Sequence, residues 1–213
     1  MSDPEPSVYV VDDDVAMCES LQWLLEGEGF RVRTFHSAEA FLEQYDPLAP
    51  GCLVLDIRMK GLSGIELQSR LAEIGDPPPI IIITGHGDVP LAVKAVKGGA
   101  LDFLEKPVND QVLLERIRGA IKLDAERRHT RVDREMAEMR LRKLTRRERE
   151  VMECIFSGLA NKQIAARLGI SEKTVEVHRK RVLQKTGTRN AVELVRLVMG
   201  THAAAPVAPP AAS

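Results

Sequence analysis

The chain has 213 residues with 30 Lys and Arg against 31 Asp and Glu, which gives a net charge of −1. Residues 1–120 hold 20 acids and 10 bases, whereas residues 121–213 hold 11 acids and 20 bases. A hydrophobic content of 44% excludes a wholly disordered protein, and the charge asymmetry indicates an acidic domain joined to a nucleic-acid-binding one. No apolar run is long enough to cross a bilayer, no signal peptide is recognisable, and three isolated cysteines do not suit a disulfide framework. We therefore expect a cytoplasmic protein.

Short apolar runs alternate with amphipathic helical stretches through the first 120 residues. The candidate strands are Val8–Val11, Phe30–Phe35, Cys52–Leu55, Ile80–Ile83 and Leu101–Leu104. Strands without polar alternation are typical of a parallel sheet that helices cover on both faces. The pattern predicts an α/β doubly wound (βα)5 domain, with its ligands at the carboxyl ends of the strands.

The second part of the chain is helical throughout. Residues 122–143 form a charged linker helix in which Ala125, His129, Val132, Met136 and Met139 recur at intervals of four and three. This stripe is consistent with a short dimeric coiled coil or with a solvated linker helix, and both interpretations stay open. The predicted division is a domain over 1–121, the linker over 122–143, an all-α domain over 144–203 and a disordered Ala/Pro tail over 204–213.

Polar residues stand at the ends of the predicted strands. Asp12 and Asp13 follow the first strand, Asp56 ends the third, Thr84 ends the fourth and Lys106 follows the fifth. The carboxyl ends of parallel strands lie at one edge of a sheet, so these groups converge. Three carboxylates repel one another unless a cation such as Mg²⁺ joins them. Lys106 and Thr84 would hold a phosphoryl group, and Asp56 would be the nucleophile that accepts it.

These residues lie in four segments that resemble the receiver domain of two-component response regulators, a flavodoxin-like fold, over residues 7–121. The segments are VVDDD at 10–14, LDIRMKGLSG at 55–64, ITGHGDV at 83–89 and DFLEKP at 102–107. The resemblance implies that a histidine kinase phosphorylates Asp56. It also implies that Asp12, Asp13, Asp56 and the backbone carbonyl of Arg58 bind Mg²⁺, and that Lys106 contacts the phosphoryl group.

The same resemblance implies a switch. Thr84 and Phe103 match the family's switch pair, and their movement would create a dimer surface from residues 91–97 and 101–105. The peptide bond from Lys106 to Pro107 is expected to be cis. One departure is Lys60, because the family usually has proline there, so the family's loop geometry and phosphate lifetime do not carry over directly to this chain.

The basic half contains a helix-turn-helix pattern. Thr145 and Glu148 predict a capping box, a short helix covers 161–168, and Ser171 caps a third helix that runs to about Lys185. Val175, His178 and Val182 form the inward stripe of the third helix, and His178 is expected to be a structural, hydrogen-bonded side chain.

The opposite face of that helix is predicted to enter the major groove of DNA. In this interpretation Lys180 contacts guanine, Glu176 a cytosine amino group and Val177 a thymine methyl group. The remaining DNA-contact candidates, most of them expected at phosphates, are Asn161, Lys162, Lys173, Thr174, Arg179, Arg181, Gln184 and Lys185.

Residues 144–197 resemble the LuxR-type DNA-binding domain in the form found in FixJ-like regulators. The resemblance implies four helices, the third in the major groove and the fourth, with Val192, Val195 and Val198, supporting dimerisation. We therefore expect a phosphorylation-activated transcriptional regulator whose partners are a histidine kinase, promoter DNA, RNA polymerase and a second copy of itself. Its only catalysis would be its own phosphoryl transfer and dephosphorylation.

Three other functions compete with this interpretation. An aspartyl-phosphate phosphatase needs a second acid two residues after the nucleophile, where this chain has Arg58. An ATP-driven activator needs a phosphate-binding loop that the sequence lacks. A DNA-binding protein whose receiver no longer signals would not need the complete set of strand-end residues. Whether the receiver masks the DNA-binding half before phosphorylation stays open.

Overall fold

Five parallel strands form one sheet in the computed structural model, which describes residues 5–85 and 89–202. They are β1 (Ser7–Val11), β2 (Arg31–Phe35), β3 (Gly51–Asp56), β4 (Ile80–Thr84) and β5 (Asp102–Glu105). Their spatial order is β2-β1-β3-β4-β5. Because the order reverses between β1 and β3, the fold is doubly wound, and the predicted α/β class is confirmed.

Burial of the strands follows their place in the sheet. Every residue of β1, β3 and β4 is buried, as the unbroken apolar runs predicted. The two edge strands alternate instead, and Phe103 of β5 is 39% exposed. The fifth strand candidate, Leu101–Leu104, is present as β5, and its partial exposure follows from its place at the edge of the sheet.

Helices cover both faces of the sheet. On one face α1 (Val15–Gly27) packs with the first part of a long helix, α5 (Asp110–Arg142). On the other face lie α2 (Ala38–Gln44), α3 (Gly64–Ile74) and α4 (Val89–Lys97). The sheet is thus held between two apolar layers, and the ends of its strands remain available for polar groups.

The predicted fifth helix and the predicted linker are one continuous helix, α5. The chain divides into two compact units after Arg128, within this helix. Asp124 is 5% exposed, and its Oδ2 accepts hydrogen bonds from the Gly51 amide at 2.9 Å and from Arg128 Nε at 2.7 Å. The Arg128 guanidinium also donates to the carbonyls of Leu48 and Ala49. These bonds tie α5 to the loop before β3 well beyond residue 121, while the predicted domain boundaries stay predictions.

Among its described residues, the second unit contains the last part of α5 and four further helices. The four are α6 (Arg146–Phe156), α7 (Asn161–Leu168), α8 (Glu172–Thr186) and α9 (Ala191–His202). Helix α8 packs against the other three, around a core that includes Val151, Ile164, Val175 and Leu194. The predicted four-helix domain is therefore confirmed. The predicted disordered tail, residues 204–213, lies outside the described residues.

An ion pair between the buried Glu148 and the half-buried Lys185 joins α6 and α8. Glu148 completes the predicted capping box with Thr145, and its Oε2 also lies 2.6 Å from Lys185 Nζ. Glu148 is 2% exposed, and the hydrogen bond from Lys185 lowers the pKa of its carboxyl to about 2. Lys185 therefore fixes α8 on α6, a structural role that neither of the interpretations open for it, a phosphate contact or a solvated side chain, included.

No helix among the residues that the structure describes combines the length and the apolar character needed to cross a membrane.

Replacing Asp124 by alanine is expected to lower the stability of the first unit by about 2 kcal/mol, because it leaves the Gly51 amide and Arg128 without their acceptor. Native-state hydrogen exchange of the full chain measures this loss. The Gly51 amide is expected to exchange about 30-fold faster in the variant than in wild type. Glu115→Ala, at an exposed position of the same helix, is the matched control. Equal exchange rates in the two variants would show that the buried carboxylate does not hold the helix.

The Glu148→Gln variant is expected to lose about 2 kcal/mol of stability in the second unit near neutral pH, since it removes the charge that pairs with Lys185. The folded pKa lies below the ordinary value of 4.5, so this stabilisation is complete above about pH 4.5. This stabilisation disappears as the pH falls toward about 2, so the unfolding free energies of wild type and Glu148→Gln should become equal there. Hydrogen exchange of peptides from α8 measures the difference, with Glu153→Gln at an exposed site of α6 as control.

Candidate functional site

Three carboxylates meet at the carboxyl ends of β1 and β3. Asp12 and Asp13 directly follow β1, and Asp56 is the last residue of β3. Their nearest oxygens all lie within 4.8 Å of one another. Asp12 and Asp56 are buried and Asp13 is half-buried, so their mutual repulsion is only weakly screened by water. The arrangement offers hard oxygen ligands of the kind that Mg²⁺ prefers.

One ammonium group bridges two of these carboxylates. Lys106 follows β5, and its Nζ lies 2.8 Å from Asp12 Oδ2 and 2.8 Å from Asp56 Oδ1. The predicted cis peptide bond between Lys106 and Pro107 is present. The structure therefore brings together the acids and the lysine that were predicted from positions spread over the whole first unit.

The pKa shifts follow from burial and this pairing. Burial raises the pKa of Asp56 above its ordinary value, and the hydrogen bond from Lys106 offsets only part of that effect. Burial by itself lowers the pKa of Lys106, but its bonds to Asp12 and Asp56 outweigh burial, and the pKa is raised. A single lysine thus remains charged beside three carboxyl groups, so the cluster is still short of positive charge.

The predicted switch residues lie on neighbouring strands. Thr84 ends β4, is 3% exposed, and its hydroxyl makes a long hydrogen bond of 3.4 Å to the Gly85 carbonyl. Phe103 of β5 pairs in register with Ile82, two residues before Thr84. Because side chains alternate along a strand, Thr84 and Phe103 are on the same face of the sheet. Part of the ITGHGDV segment, residues 86–88, lies outside the described residues.

The loop after Asp56 is held by two carboxylates through its backbone amides. The Lys60 amide donates to Asp13 Oδ2 at 3.2 Å, and the Leu62 amide donates to Glu39 Oε1 at 3.0 Å. Proline at position 60 could not make the first bond, because it has no amide hydrogen. The role of Glu39 could not be predicted from the sequence, since nothing in the local pattern links it to a loop 23 positions away.

A cleft of about 650 Å³ opens beside the cluster. Asp13, Met59, Lys60, Leu91 and Lys94 are among the residues that line it. Two lysines at its wall add positive charge next to the carboxylates, which favours the approach of an anionic group.

In the second unit, α7 and α8 form the predicted helix-turn-helix. Gly169 ends α7 with a φ of 65°, a left-handed conformation that glycine adopts without strain. The Ser171 hydroxyl caps α8 by accepting from the Thr174 amide at 3.1 Å, and it also bonds to the Thr174 hydroxyl. Thr174 is therefore half-buried within the cap.

Most of the residues predicted to contact DNA are exposed, and those on α8 lie on one face of that helix. The exposed residues are Lys162 on α7 and Lys173, Glu176, Val177, Lys180, Arg181 and Gln184 on α8, while Asn161 and Arg179 are half-buried. The surface carries an excess of positive charge, as a helix that contacts phosphates requires.

Two residues of this unit differ from their predicted roles. His178 faces inward as expected, but its Nδ1 is buried without any hydrogen-bond partner among the described residues. Its neighbours on the inward stripe, Val175 and Val182, have no polar side-chain atoms. Val198, expected at a dimer surface, is only 5% exposed and belongs to the core. Val192 and Met199 are the exposed apolar residues of α9, at 63% and 56%.

Glu39→Ala is expected to release the loop after Asp56, because the Leu62 amide loses its acceptor. We expect hydrogen exchange at Leu62 to become about tenfold faster and Mg²⁺ binding, followed by calorimetric titration, to weaken about threefold. Glu43→Ala, which removes an exposed carboxylate from the same helix, is the matched control. Identical exchange in the two variants would contradict a role for Glu39 in holding the loop.

Both units of the chain match known protein families. Residues 8–118 match the response regulator receiver domain, and residues 142–198 match the bacterial regulatory proteins of the luxR family. Together the two matches account for both compact units. These families are transcriptional regulators rather than enzymes in the ordinary sense.

Relatives match the chain over nearly its whole length. The transcriptional regulatory protein FixJ of Azorhizobium caulinodans is 47% identical over 90% of this chain and 91% of its own length. The response regulator protein TmoT of Ectopseudomonas mendocina is 44% identical over 92% of this chain and 90% of its own. The structure of the response regulator StyR, 49% identical, superposes with a TM-score of 0.83 over 92% of this chain and 98% of that one. The chain therefore belongs to the FixJ-like response regulators of two-component systems, transcriptional regulators in which a receiver domain precedes a LuxR-type DNA-binding domain.

Proposed function

We propose that Asp56 accepts a phosphoryl group from the phosphohistidine of a cognate kinase. A carboxylate oxygen of Asp56 attacks phosphorus, a P–O bond forms, and the P–N bond to the kinase histidine breaks. The observation that supports this assignment best is the position of the buried Asp56 carboxylate, 2.8 Å from Lys106 Nζ and within the cluster with Asp12 and Asp13. Lys106 is placed to contact the oxygens of the transferred group.

Asp12, Asp13, Asp56 and the backbone carbonyl of Arg58 would hold a Mg²⁺ ion. The fit rests on the donor set, which is three carboxylates with one lysine and is therefore short of positive charge. When bound, the ion supplies charge that offsets the repulsion between these carboxylates and an incoming phosphoryl group. The loop that carries Arg58 is positioned by the bonds from the Lys60 and Leu62 amides.

Phosphorylation adds negative charge and new hydrogen-bond acceptors beside Thr84. Among the described residues its hydroxyl makes one long bond, to the Gly85 carbonyl, so it is available to move toward those acceptors. Phe103, 39% exposed on the same face, would turn inward into the space that Thr84 leaves. Val93, Val96 and Leu101 are each more than 40% exposed along the predicted dimer surface of residues 91–97 and 101–105. A second copy would cover this apolar surface after phosphorylation.

The dimer would place two α8 helices on DNA. Two-fold symmetry implies an inverted repeat whose half-sites are about one helical turn apart. We assign Lys180, Glu176 and Val177 to base contacts, because all three are exposed on one face of α8. Lys162, Lys173 and Arg181 suit phosphates, and Asn161, Thr174, Arg179 and Gln184 complete the proposed surface. Val192, Val195 and Met199 would extend the dimer contact through α9.

Binding at a promoter would bring RNA polymerase within reach of the regulator, and we propose activation of transcription as the outcome. A protein that binds promoter DNA in a bacterium works in the cytoplasm, where the DNA is. The receiver, linker and DNA-binding domains are proposed at 1–121, 122–143 and 144–203.

The Asp56→Asn variant is expected to abolish the response to a small phosphodonor such as acetyl phosphate, because the amide cannot accept the phosphoryl group. With Mg²⁺ present, wild type should dimerise in light scattering. It should also bind a duplex selected from a random pool at least tenfold more tightly than without the donor. Asp76→Asn, the same substitution at an exposed site, should behave as wild type. If Asp56→Asn and wild type respond alike, the proposed phosphoacceptor is wrong.

A further inference from the structure

One apolar stripe of α5 is left uncovered in the second unit. Val132, Met136 and Met139 are 45%, 46% and 58% exposed, and they follow one another at intervals of four and three residues. On a different side of the same helical segment, Ala137 is 6% exposed and Leu141 packs against the core of the unit. The segment is therefore anchored by one side and presents an apolar stripe on another.

The interval of four and three residues is that of the a and d positions of a coiled coil. Met136 takes an a position and Val132 and Met139 take d positions, with exposed His129 at the preceding a position. We infer that residues 129–142 form a parallel, two-stranded coiled coil with the same segment of a second copy of this chain.

Charged residues beside the stripe favour a second copy of the chain as the partner, with the two helices parallel. In this register Glu135 is at a g position and Arg140 is at the e position of the following heptad. A parallel dimer brings g of one helix close to the following e of its partner, so Glu135 and Arg140 would form two opposite-charge pairs across the interface. In an antiparallel pair that matches Val132 with Met136, Glu135 would instead face its own copy. The pattern therefore selects the parallel arrangement, which a two-fold dimer on DNA also needs.

The segment is too short to hold a dimer by itself. Residues 129–142 contain only two heptads, and His129 weakens the apolar seam at its start. The inference therefore rests on the proposed function, in which phosphorylation of the receiver supplies the first dimer contact. The coiled coil adds to that contact and, because Leu141 packs on the core of the second unit, it sets the spacing of the two DNA-binding units.

Cysteine cross-linking of the full chain tests whether the apolar stripes of two copies meet. The three native cysteines are buried, so an introduced thiol is the reactive one. With Mg²⁺ and beryllofluoride as the phosphoryl mimic, Met139→Cys is expected to form at least fivefold more disulfide-linked dimer than without the mimic. Arg127→Cys, exposed but away from the stripe, is the control. If light scattering shows a dimer while Met139→Cys cross-links no better than Arg127→Cys, the coiled coil is overturned and the proposed function is not. If wild type forms no dimer with the mimic, both are overturned.

Charge reversal tests the direction. In the Met139→Cys background, Glu135→Arg alone and Arg140→Glu alone each place like charges across the seam. Each is expected to lower the cross-linked fraction about threefold. The double reversal restores opposite charges and should restore the cross-linked fraction. A double variant that cross-links as poorly as either single variant would contradict the parallel pairing.

Discussion

The receiver site depends on three neighbouring carboxylates that a single lysine cannot neutralise. Asp12 and Asp56 are buried and share Lys106, while Asp13 takes its hydrogen bond from a backbone amide. Clustered carboxylates of this kind repel one another unless a cation joins them, so the edge of the sheet presents a site that could bind a metal ion. The parallel topology makes the cluster possible, because it brings the ends of β1, β3 and β5 to one edge.

In the DNA-binding unit, by contrast, the buried carboxylate is paired with a cation. Glu148 is matched by Lys185 and by the cap at Thr145, so its charge is fully compensated within the unit. That pairing fixes α8 on α6, while Lys173, Lys180 and Arg181 remain exposed on the outer face of α8. The first unit thus has a carboxylate cluster with too little positive charge beside it. In the second unit the buried charge of Glu148 is paired, and the exposed positive charge is available for the phosphates of DNA.

Sequence patterns predicted that the strand-end acids and Lys106 meet, because these residues occupy fixed places relative to buried strands. Asp12, Asp13, Asp56, Thr84 and Lys106 could be placed together from strand periodicity and parallel topology alone. Glu39 could not, because its bond to the Leu62 amide depends on how α2 lies against a distant loop. The pairing of Lys185 with Glu148 could not be predicted either, because a helix pattern does not show a partner 37 positions away.

The sequence by itself determined the fold classes, the strand-end cluster and the helix-turn-helix, since periodicity, capping residues and motif spacing are local properties. Only the tertiary structure decided which apolar residues are covered. It placed Val198 in a core, left Phe103 exposed on an edge strand and left Met136 and Met139 exposed on α5. It also joined the predicted fifth helix and linker and tied them to the sheet through Asp124 and Gly51. The physical reason is that burial and hydrogen-bond partners depend on contacts between distant segments, which a local pattern does not contain.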